Sequence, residues 1–339
     1  MHGWRSPFWL PGGHAQTIWA ALMSRDGWSA PAAWRRERWD TPDGDFIDVD
    51  FLDGPQAGPP TAPLVVLFHG LEGSSDSPYA RALASVARRR GLRLAVPHFR
   101  GCSGELNRAP RAYHSGDFEE VGWILQRLRR SSAQPLWVMG VSLGGNALLR
   151  WAQEAGEQAG AVASAVAAVS APLDLSACGD AIDQGVNRLL YARNFLKTMK
   201  PRALAKWAQF PGLFDATALR EATTLYAFDN VFTAPLHGFK NTDDYWQRAS
   251  SKPHLHRIRV PALVLNARND PFVPARCLPQ VKDVGPWVTL WQPAHGGHCG
   301  FAHGHPPGHL LDLPRAVLDW MASGHHPSPK YHHLHGPSG

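Results

Sequence analysis

Six short, predominantly apolar runs limit what this chain can become more than any other feature. They lie at residues 64–68, 92–97, 136–139, 165–170, 262–265 and 288–291. Between and after them come stretches with helical spacing, at 78–90, 117–130, 144–155 and 313–322. In the second of these, Val121, Ile124, Leu125 and Leu128 share one face. A strand that is apolar at every residue must be covered on both of its faces. That is a property of parallel sheets held between two helix layers. The expected fold class is therefore α/β: a mostly parallel central sheet with helices on both faces.

Two segments interrupt the alternation. Residues 174–255 fall between the fourth and fifth runs and contain no strand pattern. They read as helices over 189–200, 203–210 and 242–250. An insertion of this size at the carboxyl edge of a sheet is expected to form a helical cap. Residues 1–60 are rich in Trp and Pro, and 39–52 reads as a hairpin turning at Asp43-Gly44. The organisation expected is an N-terminal wrap and hairpin (1–60), a core built from 61–173 and 256–323, and the cap insertion (174–255). The remainder, 324–339, holds five histidines and no apolar pattern, and is expected to be disordered.

Composition narrows the function classes. Apolar residues are 44% and charged residues 18%, which excludes a disordered chain. The longest uncharged run that reads apolar, 159–172, falls short of the ~20 residues a membrane span requires. Met1-His2-Gly3-Trp4-Arg5 has no apolar core of a secretion signal, so a cytoplasmic location is expected. Cys102, Cys178, Cys277 and Cys299 are widely spaced, which suits free thiols better than a zinc or disulfide framework. The net charge is +6, with Arg-rich clusters at 35–38, 88–90 and 127–130. No reader motif accompanies them, so the charge alone argues for neither a nucleic acid nor an anionic lipid surface.

The chemistry centres on Gly140-Val141-Ser142-Leu143-Gly144, a G-x-S-x-G sequence between an apolar run and a helical pattern. Two small residues permit a sharp turn that holds a serine above the sheet. A hydroxyl becomes a nucleophile only when a base takes its proton. His298 is the expected base, because it follows the sixth run and lies in the flexible Gly296-Gly297-His298 loop; His295 is the alternative. Asp270, directly after the fifth run, is the expected acid that orients the base. Asp174, which follows the fourth run, is the rival, and could equally cap a helix. Two backbone N–H groups should bind an oxyanion, those of Leu143 and Leu71. His69 is expected to brace the second of these loops. Activity should then rise through a pKa near histidine's ordinary ~6.5. No H-E-x-x-H or related spacing points to a metal.

With these residues placed, the chain resembles the YheT-like family of α/β-fold hydrolases, within the serine esterase/lipase superfamily. The resemblance spans about residues 7–322. It is carried by His14-Ala15-Gln16-Thr17, Pro42-Asp43-Gly44-Asp45, His69-Gly70 with Tyr79, Arg100-Gly101-Cys102-Ser103-Gly104, Tyr113-His114-Ser115-Gly116, the elbow extended to Asn146, His237-Gly238-Phe239, and Gly296-Gly297-His298 with Gly300-Phe301. The chain departs from the family pattern at Phe118 and Glu120, where Thr and Asp are expected. The resemblance implies hydrolysis of carboxylic esters through an acyl-enzyme on Ser142, no cofactor, and a small-molecule ester with an apolar acyl chain as substrate. Acyl transfer to an alcohol uses the same residues, and a non-catalytic binding protein is a further alternative. Arg100, Tyr113 and His114 could line the site or brace its loops.

Overall fold

The structure, a computed structural model, describes residues 5–23, 32–54, 57–324 and 330–332. One sheet runs through the chain in the order β1-β2-β4-β3-β5-β6-β7-β8-β9. Its strands are β1 (Ala33–Asp40), β2 (Phe46–Asp53), β3 (Leu64–Phe68), β4 (Arg93–Pro97), β5 (Leu136–Val141), β6 (Ala165–Val169), β7 (Ala262–Leu265), β8 (Val288–Trp291) and β9 (Lys330–His332). β1 and β2 form an antiparallel hairpin, and β2 pairs antiparallel with β4. Every other pair is parallel.

The helices that matter below are α1 (Gly12–Leu22), α2 (Pro78–Arg89), α3 (Phe118–Ser131), α4 (Leu143–Ala155), α5 (Leu175–Asp183), α6 (Arg193–Gln209), α7 (Thr242–Ala249) and α8 (Asp312–Ala322). Alternate residues of a strand point to opposite faces, and the packing follows. Val65 and Leu67 join Leu83, Val86, Val317 and Leu318 of α2 and α8 in one core. Leu64, Val66 and Phe68 join Ile124, Leu125, Leu148 and Leu149 of α3 and α4 in the other. Each such side chain contributes about 1.5–3 kcal/mol when removed from water. No helix among the described residues is long and apolar enough to cross a membrane.

Several arginines are engaged internally by carboxylates. Arg36 and Arg38 of β1 form two-pronged pairs with buried Asp50 and Asp48 of β2. Arg100 joins the hairpin turn to the core through Asp43, Asp45 and Glu120. Glu120, one of the two departures from the family pattern, is thus the partner of a buried guanidinium. The other, Phe118, lies under the guanidinium of Arg150.

Several expectations require adjustment. The hairpin is longer than 39–52, because β1 begins at Ala33. The helices expected at 189–200 and 203–210 are one helix, α6, which passes through Pro201. Leu196 on one side of the proline and Ala203 and Lys206 on the other are all buried, so packing holds both halves in line. Helix α1 contains the His14–Thr17 motif, but its helical form was not anticipated. Most of the tail lies outside the described residues, yet Lys330–His332 pairs with β8 as a short strand.

The turn from β5 into α4 depends on close packing at Gly144. A Cβ there would collide with the carbonyl oxygens of Phe68 and His69. Gly144→Ala is therefore expected to lower the unfolding free energy by about 1–3 kcal/mol in urea denaturation. Gly160→Ala, at a helical position with open space around it, should leave stability unchanged or raise it. Equal effects at the two positions would contradict this packing argument.

Candidate active site

Ser142 stands between β5 and α4 with φ 53° and ψ −122°, a strained conformation for a residue with a side chain. Its N–H bonds to the Val169 carbonyl at 2.8 Å, which ties the turn to β6. The strain holds the hydroxyl up, away from both strands. His298, on the loop after β8, places Nε2 3.0 Å from Ser142 Oγ. Its Nδ1 lies 2.9 Å from Asp270 Oδ2. The other oxygen of Asp270 accepts the N–H groups of Phe272 and Val273. The carboxylate is thereby fixed in a buried position.

The two rivals are elsewhere. Asp174 caps α5 by accepting the Ala177 N–H. His295 is exposed and meets only Asn269, at 3.4 Å. With Asp270 accepting at Nδ1–H, the lone pair of Nε2 faces the serine hydroxyl, the arrangement a general base requires.

Burial pulls the pKa of His298 down, while the Asp270 carboxylate acts in the opposite sense and prevails. The net direction is upward from 6.5, which displaces the expectation of an ordinary value. The His69 ring is governed by burial alone to a first approximation, and is pushed down to about 3. It is neutral, and its Nδ1–H donates to the Gly70 carbonyl while Nε2 accepts the Phe99 N–H. It braces the loop after β3.

That loop is held at three points. Gly70 N–H donates to Tyr79 Oη at 2.9 Å, Glu72 N–H to Tyr113 Oη at 3.0 Å, and Gly73 N–H to the Gly70 carbonyl. Tyr113 in turn donates to Glu72 Oε1, which also receives Arg202 from α6. Between these braces the N–H of Leu71 has no partner among the described residues, and neither has that of Leu143 at the first turn of α4. Two tyrosine hydroxyls thus occupy the flanking N–H groups and leave Leu71 free. Sequence reasoning left Tyr113 undecided. His114 is half-buried against His237, Phe239 and Tyr245, and Arg100 serves the hairpin network, yet Arg100, Tyr113 and His114 also line a cavity that reaches Ser142.

Helix α1 supplies what sequence reasoning missed. Gln16 Oε1 accepts N–H groups from Gly296 and Asn269, and Thr17 Oγ1 accepts the His298 N–H at 2.9 Å. Gly297, at φ 55°, fits only because it lacks a Cβ that would press on Gly13, Gln16 and Thr17. The His14–Thr17 motif is the one signal that pointed here.

Two cavities meet at Ser142. The first lies beneath residues 174–255 and is walled by Leu106, Ile182, Met199, Leu225, Phe228 and Phe232, with Leu71 and Leu143 near the serine. The second also contains His298 and lies between α1 and residues 190–195. A separate group, His303, His309 and Asp312, has donor atoms within 4.8 Å of one another. Asp312 is already paired with Arg315, and none of the three lines either cavity.

Chemically, the arrangement can deprotonate a hydroxyl and stabilise an oxyanion beside it. The histidine electrostatics can be tested by titrating the ring by NMR. The His298 pKa is expected above 6.5 in the native protein and markedly lower in Asp270→Asn, where only Cys299 still opposes burial. A value unmoved by the substitution would contradict the assignment of the shift to Asp270.

The sequence profile of the alpha/beta hydrolase fold matches residues 63–304. YheT of Escherichia coli, an esterase by name, is 37% identical over 316 residues, covering 91% of this chain and 90% of that protein. Mouse phospholipase ABHD3 is 29% identical over 298 residues, covering 86% and 72%. Among solved structures, the Pyrococcus furiosus esterase Pf2001 superposes with a TM-score of 0.52 at 16% identity, covering 86% of this chain and 92% of that one.

Proposed function

The chain belongs to the alpha/beta hydrolase family, and from that membership we propose that it hydrolyses carboxylic esters through an acyl-enzyme formed on Ser142. The observation that carries the reading is the unbroken line from Asp270 through His298 to Ser142, at 2.9 and 3.0 Å. The two unpartnered N–H groups of Leu71 and Leu143 support it. Both relatives described above bear the names of ester-cleaving enzymes.

In this mechanism Ser142 Oγ attacks the ester carbonyl as its proton passes to His298 Nε2. The carbonyl oxygen becomes an anion and takes hydrogen bonds from Leu71 and Leu143. One such donor is worth about 10²–10³ in kcat. Asp270 keeps the imidazole in the Nδ1–H tautomer and balances the imidazolium that forms. His298 then hands its proton to the leaving alcohol. Water attacks the acyl carbon as it loses a proton to the same nitrogen, and the bond to Ser142 Oγ then breaks as His298 returns that proton to the serine, releasing the acid. No cofactor is required by these steps.

Residues 174–255 act as the cap, and the apolar chamber beneath them receives the acyl chain. The four free, buried cysteines suit a reducing, cytoplasmic setting. Acyl transfer to an alcohol differs only in what replaces water, and product analysis separates the two.

A fluorophosphonate probe tests the central assignment. Ser142 is expected to carry the label, and Ser142→Ala to abolish both labelling and hydrolysis of p-nitrophenyl esters. Asp270→Asn should lower kcat by about 10⁴, whereas Asp174→Asn should retain most of it. Labelling that survives Ser142→Ala, or a larger loss from Asp174→Asn, would overturn the reading.

A further inference from the structure

The second cavity opens at an unusual rim. The described residues expose eight large apolar side chains, and five of them, Leu22, Met23, Val186, Leu189 and Leu190, lie in just two stretches. Leu22 is 76% exposed, Leu189 68%, Val186 60% and Met23 58%. The stretches are neighbours in space, because the His14 ring of α1 stacks on Tyr191 and bonds to its hydroxyl at 2.9 Å. Leu22 and Leu190 line the same cavity as Ser142 and His298. The exposed apolar surface is therefore the doorway of the site.

The charged residues of the second stretch have one sign, although Glu72 lies deeper in the cavity. Residues 184–200 include Arg188, Arg193 and Lys197, all exposed, and no Asp or Glu; α1 has no charged residue at all. None of the three cations is in an ion pair among the described residues. Asp183, just before this stretch, accepts the N–H groups of Leu225 and Tyr226 and acts on Arg188 only from beyond ion-pair distance. An apolar rim edged with unpaired cations matches an interface where acyl chains lie beneath anionic head groups. A second copy of the chain matches poorly, because a two-fold contact would set this rim, and its cations, against itself.

We propose that the rim formed by α1 and residues 186–197 docks on an anionic lipid surface, so that esters pass from the lipid directly into the cavity at Ser142. This proposal rests on the ester-hydrolase reading for the identity of the cargo, but the docking is measurable without turnover. Internal pairing of Arg36, Arg38 and Arg100 hides much of the total charge, so the net value alone did not reveal it.

The test is co-sedimentation of the full chain with vesicles of phosphatidylcholine alone and of phosphatidylcholine mixed with phosphatidylglycerol. Hydrolysis of water-soluble p-nitrophenyl acetate is measured in parallel. The native protein and Ser142→Ala are expected to partition onto the mixed vesicles at least about tenfold better than onto phosphatidylcholine. Val186→Ser with Leu189→Ser, or Arg193→Glu with Lys197→Glu, should reduce that partitioning by about tenfold or more and leave p-nitrophenyl acetate hydrolysis unchanged. Partitioning that is absent, indifferent to head-group charge or insensitive to both pairs of substitutions would overturn the proposal. So would a dimer in gel filtration that Val186→Ser with Leu189→Ser dissolves, since the rim would then be covered by a second copy. Loss of p-nitrophenyl acetate hydrolysis in the native protein would instead count against the ester-hydrolase reading and leave the docking result to stand by itself.

Discussion

The contact of Gly144 with the end of β3 is the constraint on which the rest depends. It lets the first turn of α4 approach the Phe68 and His69 carbonyls. That approach sets the Ser142 hydroxyl beside the loop that carries Leu71. In the proposed mechanism, any larger residue would separate the two N–H groups that a single oxyanion has to reach together. The strain at Ser142 is maintained by the bond from its N–H to β6 and by two fully packed cores beneath it. Preorganisation of this kind is how a fold lowers the cost of charge development in its site.

Much of this was legible in the sequence, for a physical reason. A strand buried on both faces has to be apolar throughout, so the six runs announced themselves. Ser142, Asp270 and His298 were then found by position relative to strand ends. What could not be read were polar contacts between distant segments. Gln16 meets Gly296 across 280 positions, and Thr17 meets His298 across 281. Nothing in local periodicity encodes such a pair. The tyrosine braces on Gly70 and Glu72 are likewise single hydroxyls whose partners are set by tertiary packing. Continuity of α6 through Pro201 was hidden because burial on both sides of the proline outweighs the missing donor.

The cap and the N-terminal helix divide the labour around the serine. Residues 174–255 enclose an apolar chamber, and α1 steadies the histidine loop while forming one lip of a second opening. Under the proposed function, the same helix would serve both the base and the entrance. Arg202 and Glu72 link residues 174–255 to the loop after β3, so the chamber and the loop that carries Leu71 share a structural support. An ester spanning both cavities would place its carbonyl at their junction, which is where Ser142 stands.

The most direct test of the account is a crystal structure of the protein after reaction with an alkyl fluorophosphonate. The account predicts phosphorus bonded to Ser142 Oγ, with its oxygen about 2.7–3.1 Å from the N–H groups of both Leu71 and Leu143. The alkyl chain should lie in the chamber beneath residues 174–255. An oxygen turned toward solvent, or bonded to neither N–H, would contradict the claim that these two loops are preorganised around a transition state.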